Sequence, residues 1–378
     1  MGEKLNAPPD FETMNGCTVL ISQGRPSANR RTILVKNRDI ASIGSPEIMV
    51  MGKTEGGNKY LGMATVENPA SLTIGINGKG VVANKAGRYC KEVNAEGVNS
   101  GVIMQRALQS AGSAEEMVNI VQEIVRTEQQ SKRGFAYTCA DFREAYVVEA
   151  HKQTSEIYGP LADTVFAHGN YALTDKIKAC EKTSRGHQRA KRAQGLMEQF
   201  RGDLTVPFMI RFCRDHEQPP DPAYAWDDRN ICTHGFGTDT RGSGICLPHR
   251  QYPGLLTVFW GAVNQPCKTP YVPFYVGIKE VPAGYAGPDA YDTFEALSVA
   301  LEESPEFKAV VRQHWEAFEF QTMREAAFLE KQVAEWADRG KHSDAEAKLT
   351  DFVVEKAERA IADARKMTAK ISQERFIP

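Results

Sequence analysis

Residues 14 to 23 read MNGCTVLISQ, a single cysteine set between Gly16 and a run of strand-forming residues. A thiol cleaves an amide most directly when a nearby base takes its proton and donors wait for the oxyanion. A cysteine at the start of a chain carries its own base, because an α-amino group titrates at about 7.7–8.0. Cleavage between Gly16 and Cys17 would create such a residue, and Gly16 offers the thiol an unhindered carbonyl. The polar stretch before it contains Pro8-Pro9, so residues 1–16 read as a leader removed by autocleavage. Taken alone, Cys17 also suits a small apolar side chain opening a buried strand.

Positioning such a thiol needs strands that pair early. Short β-type runs occur at 18–21, 32–35, 48–51, 72–74 and 81–83, separated by Gly and Asn, which is the pattern of a meander. A helix follows from Ser113, where Ser113 and Glu116 make a capping box and Met117, Ile120, Val121, Ile124 and Val125 share one face. Further strands are expected at 135–138, 145–148 and 164–166, a basic helix over 185–200, and β-rich chain over 231–281. Blocks of strand and helix in this order point to an α+β layered fold rather than a βαβ array. Beyond residue 288 the chain is rich in Ala, Glu, Lys and Arg at helical spacing. Asp292 and Glu295 are the expected caps there, with Trp315, Phe318, Phe320, Phe328 and Trp336 as packing residues. The divisions are thus 1–16, a catalytic domain over 17–288 and a helical extension over 289–378.

Composition excludes some partners. The 46 Lys and Arg nearly balance 48 Asp and Glu, and a net charge of -2 gives no electrostatic reason for nucleic acid or an anionic membrane. No stretch has the roughly 18 apolar residues of a membrane span, and the start lacks a signal-peptide core. Eight cysteines without a CxxC pair fit reduced thiols, and the expectation is a cytoplasmic protein.

The segment GCTVLISQGRPSANRRTILVKNRD resembles the opening of N-terminal-nucleophile (Ntn) hydrolases, specifically the isopenicillin-N acyltransferase-like peptidases and the dipeptidases with an N-terminal cysteine. Those families follow a Cys-Thr start, two strands later, with a basic-Asn-x-Asp turn. Here that turn is Lys36-Asn37-Arg38-Asp39. The resemblance implies that Asp39 orients the α-amino group and that Lys36 stands where the family usually has an arginine beside the thiolate. A hairpin of the first two strands would bring the end of the second beside Cys17. GINGKGVVANKAG (75–87) is similar to the family's Gly-x-Asn-x-x-Gly turn and strand, which makes Asn84 an oxyanion or substrate contact. FAHGNYALTD (166–175) resembles a His-Thr-Asn-His segment, with Gly169 for Thr and Tyr171 for the second His, and implies Asn170 as an oxyanion donor. CEKTSRGHQR, RDHEQPPD, RNICTHG and the Pro-Cys stretch at 261–277 extend the likeness. The implied architecture is a four-layer αββα sandwich, the Ntn-hydrolase fold, with the helical C-terminal extension outside it.

The expected activity is that of a self-processing cysteine amidohydrolase that cleaves a linear amide or short peptide through an acyl-thioester on Cys17. An acyltransferase moving the acyl group to an amine would use the same residues. A catalytically silent protein acting through its helical tail is the reading from another class. No metal or organic cofactor is implied, and the expected partners are a small amide substrate and a second copy joined through the helical extension. Cys232, His234, Cys246 and His249 supply four zinc-type ligands, but at a spacing unlike the common frameworks, and read as loop and strand residues. The basic run from Lys182 to Arg192 reads as a solvated helix face.

Overall fold

The computed structural model describes residues 16–41, 45–216, 229–234 and 238–374. Of the expected leader, residues 1–15 lie outside the described residues. Two antiparallel sheets face each other. The first has six strands in the order β10-β1-β2-β12-β13-β14. These are β1 (Gly16–Gln23), β2 (Ile33–Ala41), β10 (Thr164–His168), β12 (Thr238–Leu247), β13 (Val258–Ala262) and β14 (Val272–Tyr275). The second sheet has eight strands. It runs through β3 (Glu47–Lys53), β4 (Lys59–Thr65), β5 (Ile74–Asn77), β6 (Val82–Cys90), β7 (Gln130–Ala140), β8 (Ala145–Lys152) and β9 (Thr154–Leu161), with β11 (Glu181–Thr183) added to β6.

Helices cover both outer faces. α1 (Ser100–Ser110) and α2 (Ala114–Glu128) pack on the eight-stranded sheet, with α3 (Asp175–Cys180) at its β8–β9 side. α4 (His187–Gln199) packs on β1 and β10, and α5 (Val206–Cys213) on β2 and β12. The result is the αββα sandwich. Period-two alternation explains the layering. In β6, Val82 and Ala86 join the core between the sheets, while Ala83 joins the separate core under α1 and α2. At the start of α2 the Ser113 half of the expected capping box forms, Ser113 Oγ accepting from Glu116 N at 3.0 Å, while Glu116 Oε2 reaches one residue further back and accepts from Gly112 N at 2.6 Å.

The short helices α6 (Pro253–Leu256) and α7 (Ala283–Ala286) lead to α8 (Asp289–Glu303), α9 (Lys308–Asp338) and α10 (His342–Glu374). Here the structure departs from expectation. α8 starts at Asp289 behind Pro288, so Asp292 lies one turn inside rather than at the cap. Glu295 does not cap either; it pairs with Arg241 and accepts from Asn264 Nδ2 at 3.0 Å. Trp315 and Phe318 are buried on the inner stripe of α9, but Phe320 and Phe328 are 64% and 70% exposed. Each stands two residues beyond an inward one, Phe318 and Ala326, hence on the opposite side of a helix of about 3.6 residues per turn. Strand β4 and helix α1 were not expected from the sequence. The Lys59–Thr65 run of β4 is interrupted by Gly62, which is needed because a Cβ there would meet Ile74 O at 2.5 Å.

α9 is locked to the core by a buried ion pair. Arg214, just past α5, donates to Glu319 Oε1 at 2.6 Å and Oε2 at 2.8 Å, and its guanidinium also reaches the carbonyls of Pro266 and Thr269. Glu319 in turn accepts from Tyr271 N at 2.8 Å. Removing one member leaves the other charge buried and unpaired. Glu319→Ala should therefore lower stability by about 3–5 kcal/mol in denaturant unfolding, whereas the exposed Phe320→Ser should leave the midpoint nearly unchanged.

Candidate active site

β1 and β2 pair antiparallel with Gly16 opposite Asp39, Cys17 opposite Arg38 and Val19 opposite Lys36. Side chains alternate across a strand. Cys17, Arg38 and Lys36 therefore share the face toward the second sheet, and Asp39 lies on the other face, toward α4. Asp39 thus stands on the opposite face from the thiol, while its register partner is Gly16, the residue joined to the Cys17 nitrogen. Asp39 is fully buried, ion-paired with Arg189 of α4, and accepts from Thr240 Oγ1 at 2.7 Å. Burial raises its carboxyl above the usual range, against the opposing pull of Arg189 and the Thr240 hydrogen bond. The pair lies directly against Gly16. A Cβ at that position would meet Asp39 Oδ2 at 2.8 Å and Arg189 Nη1 at 3.0 Å, so any residue other than glycine before the cysteine would push the ion pair aside.

The backbone N–H of Cys17 donates to Asn170 Oδ1 at 2.7 Å. A carbonyl oxygen must face this donor, which aims the other end of the amide away: Asn170 Nδ2 donates to Gly87 O at 3.1 Å. The expected oxyanion donor is thus engaged as a holder of the Cys17 nitrogen. Asn170 is positioned by a backbone bridge to Arg185, its N donating to Arg185 O at 2.9 Å. The chains touch closely there, since a Cβ on Gly169 would meet Gly186 O at 2.7 Å. That contact is the physical reason for glycine where the resemblance expects threonine. A buried pair from the second sheet holds the same segment. Arg88 bonds Glu149 and donates to Gly169 O at 2.9 Å, while Glu149 Oε2 accepts from Leu173 N at 2.9 Å and from Thr174 N and Oγ1 at 2.7 Å each. His168 packs against Arg88 and contacts Thr138 Oγ1 at 2.9 Å. Burial first, and the Arg88 charge second, push it down to about 3, so the ring is neutral.

The thiol has cationic surroundings. Cys17 is 8% exposed and lies beside the Lys36 ammonium, which donates to Thr73 O at 3.3 Å. Burial, then the like charge of Arg38, lowers Lys36 below the ordinary lysine range, opposed by Cys17 and Asp39. Arg38 pairs with Glu47 across the sheets. Lys85, half-buried, donates to Ser100 Oγ at 3.0 Å and lies over Phe135. Arg133 and Arg185 both lie against the Tyr89 ring, at 5.2 and 5.6 Å. The charges of Lys36, Arg38 and Arg133 add to burial in lowering Lys85.

Asn84 is the unusual residue of this layer. It lies on the inter-sheet face of β6 with Val82 and Ala86, and β6 packs against β1. It is 0% exposed, yet neither its Oδ1 nor its Nδ2 has a hydrogen-bond partner among the described residues. Buried amides are almost always satisfied, and an exception calls for a reason. Reasoning from the sequence missed Arg189, Arg88 and Glu149. The basic run was read as a solvated face, but Arg189 is 4% exposed on Asp39 and Arg192 pairs with Asp215. The available signal was spacing: in α4, Arg189 and Arg192 stand three apart and share a face with Ala193 and Ala190 toward the core. The four zinc-type ligands noted in the sequence and read there as loop and strand residues do not come together. Cys246 is buried in β12 opposite Leu34 and Phe259, and His249 Nδ1 accepts from Tyr252 N at 3.0 Å.

A cysteine near the start of a strand, held by an asparagine between two antiparallel sheets with helices outside, defines a member of the Ntn-hydrolase superfamily. The chain belongs to the acyl-coenzyme A:6-aminopenicillanic acid acyl-transferase family, whose model matches residues 27–252. That span includes Lys36, Asp39, Asn84 and Asn170 and begins after Cys17. Family enzymes act on amide bonds as acyl-transferases or hydrolases. Among solved structures, the chain is similar to a mutant conjugated bile acid hydrolase from Clostridium perfringens, at 9% identity over 68% of this chain and 92% of that one, with a TM-score of 0.43. It is also similar to penicillin V acylase from Agrobacterium tumefaciens, at 10% identity over 68% of this chain and 85% of that one, with a TM-score of 0.45. No curated protein matches the chain in sequence. No helix among the described residues is long and apolar enough to cross a membrane.

The packing around Gly16 gives a direct test. Gly16→Ala should fold but retain an intact 16–17 bond far longer than wild type, because its methyl displaces Asp39 and Arg189; intact-mass measurement over time checks this. Asp39→Asn should lose most turnover while staying folded, since a neutral amide weakens the contact with Arg189 that is fitted against Gly16.

Proposed function

We propose that the chain is a self-processing cysteine amidase of the Ntn class, acting on linear amides or short peptides. One observation carries the reading: the Cys17 nitrogen is held by Asn170 on one side while its thiol meets Lys36 on the other, with Gly16 fitted closely against Asp39 and Arg189. In maturation the thiol attacks the Gly16 carbonyl, the Gly16–Cys17 amide breaks as its nitrogen takes a proton, and water hydrolyses the resulting thioester. The freed α-amine stays on Asn170 Oδ1, which orients its lone pair toward the thiol.

In turnover that amine takes the thiol proton, the thiolate attacks the substrate carbonyl, and the amine returns the proton to the leaving nitrogen. Asn84 Nδ2, unpartnered among the described residues, is the proposed oxyanion donor, and Asn170 is a positioning residue. Lys36 stabilises the thiolate by charge. The acyl-thioester is resolved by water, giving hydrolysis; an amine in place of water gives acyl transfer from the same intermediate, the reading that the family name favours. Arg133 and Arg185, both against the Tyr89 ring, supply positive charge, which supports substrates that carry a carboxylate.

Mature protein should begin at Cys17, and Cys17→Ala should remain full length by mass spectrometry; an active wild type with the 16–17 bond intact would sink the mechanism. On processed protein, Asn84→Ala should lower kcat by about 10²- to 10³-fold with little change in thermal midpoint, because this amide makes no hydrogen bond among the described residues. An unchanged kcat per folded molecule would remove Asn84 from the site. In an amide screen, acid-bearing substrates should exceed their neutral isosteres in kcat/KM, and Arg133→Met should reduce the difference.

A further inference from the structure

Cys232 and His234 do meet a second Cys and His, although not Cys246 and His249. Cys232 Sγ lies 3.4 Å from His234 Nε2, and Cys267 Sγ lies 3.2 Å from the same nitrogen. The His216 ring stacks on His234 with centroids 4.9 Å apart. One ligand atom from each of His216, Cys232, His234 and Cys267 lies within 4.8 Å of all the others. We infer that these four side chains form a structural zinc site of the Cys2His2 type. With Zn–S near 2.3 Å and Zn–N near 2.0–2.1 Å, the ligand atoms of a tetrahedral site stand about 3.3–3.8 Å apart, so the cluster needs only a small contraction.

Three further features fit a metal rather than a chance meeting of side chains. Soft thiolates with imidazoles select zinc among the abundant divalent ions. His234 turns its other nitrogen, Nδ1, to Asp239 Oδ1 at 3.4 Å, the carboxylate behind the histidine that fixes its tautomer in metal sites. A cavity of about 720 Å³ lined in part by His216, His234 and Cys267 gives the ion a way in. Four protein ligands leave no open position, which marks a structural role.

The ligands come from three separate segments: the stretch after α5, the approach to β12 and the loop after β13. Thr233, between two of them, donates its N–H to Thr240 Oγ1 at 2.9 Å and accepts from Thr240 N at 2.8 Å, and Thr240 Oγ1 donates to Asp39. The ion would therefore brace the loop that backs Asp39 without touching the reacting thiol.

Protein purified under reducing conditions without chelator should carry about one zinc per chain by elemental mass spectrometry. C232S and C267S should lose it, while C246S and H249A keep it. Because a ligand variant can fail to fold, the wild type is also stripped with chelator and titrated with cobalt(II). Thiolate-to-cobalt charge-transfer bands and tetrahedral d–d bands should saturate at about one equivalent, zinc should displace them, and stripping should lower the unfolding midpoint. The inference is overturned if reduced wild type neither holds zinc nor gives tetrahedral cobalt bands, if C232S and C267S bind as wild type does, or if peptide mapping finds Cys232 and Cys267 joined as a disulfide. None of these readings depends on amidase activity.

Discussion

The buried ion pair between Asp39 and Arg189 is the contact on which the site depends. Taking both charges out of water costs on the order of several kcal/mol per ion, and only close geometry with further hydrogen bonds offsets it. Those bonds come from Thr240 on β12 and from Thr233, whose Oγ1 accepts from Arg189 Nη1 at 3.4 Å. The pair thereby joins β2, β12, α4 and the loop before β12, and it does so directly against Gly16. A side chain at residue 16 would push the pair aside, so the same interaction that holds the helix to the sheet favours glycine before the cysteine.

A second buried pair, Arg88 with Glu149, performs the matching task from the other sheet. These two residues belong to β6 and β8, yet their hydrogen bonds end on the segment 169–174 that follows β10 in the first sheet. Asn170 is thus held from both sheets, and the Cys17 nitrogen is held by Asn170. Any sliding of one sheet over the other would break the Asn170 contacts before it disturbed the apolar core. The neutral His168 fits this frame, since a second positive charge beside Arg88 would weaken the pair with Glu149. The cations Lys36 and Arg38 face the inter-sheet layer, where Glu47 supplies a carboxylate for Arg38, whereas Lys85 turns to α1 and Ser100.

The C-terminal helices are part of the same molecule in an energetic sense. Trp315 and Phe318 bury their rings, Trp315 Nε1 donates to Lys268 O at 2.9 Å, and Glu319 closes the pair with Arg214. Lys268 neighbours Cys267, and Arg214 stands two residues before His216. The helices therefore press on the two loops that bring the thiol and imidazole ligands together, which connects a distant packing surface to the region behind Asp39.

What the sequence determined by itself was local and periodic. The strand after Gly16, the Ser113 cap of α2, the helical spacing beyond residue 288 and the layered α+β class all follow from propensity and period, which act over a few residues. The spacing of Cys17, Lys36 and Asp39 was legible for the same reason, because a hairpin turns a sequence interval into a register. What only the tertiary structure decided was partnership and facing. A register of Gly16 on Asp39 puts the carboxylate on the opposite face from the thiol, a one-residue distinction that no interval in the sequence reveals. Arg189 lies 150 positions from Asp39, Arg88 and Glu149 lie 61 apart, and Cys267 reaches His234 over 33. Burial brings such pairs together, and burial is a property of two sheets and their helices packed as a whole; the single chain carries the charges and thiols in view, but their counterparts are chosen only when the layers close.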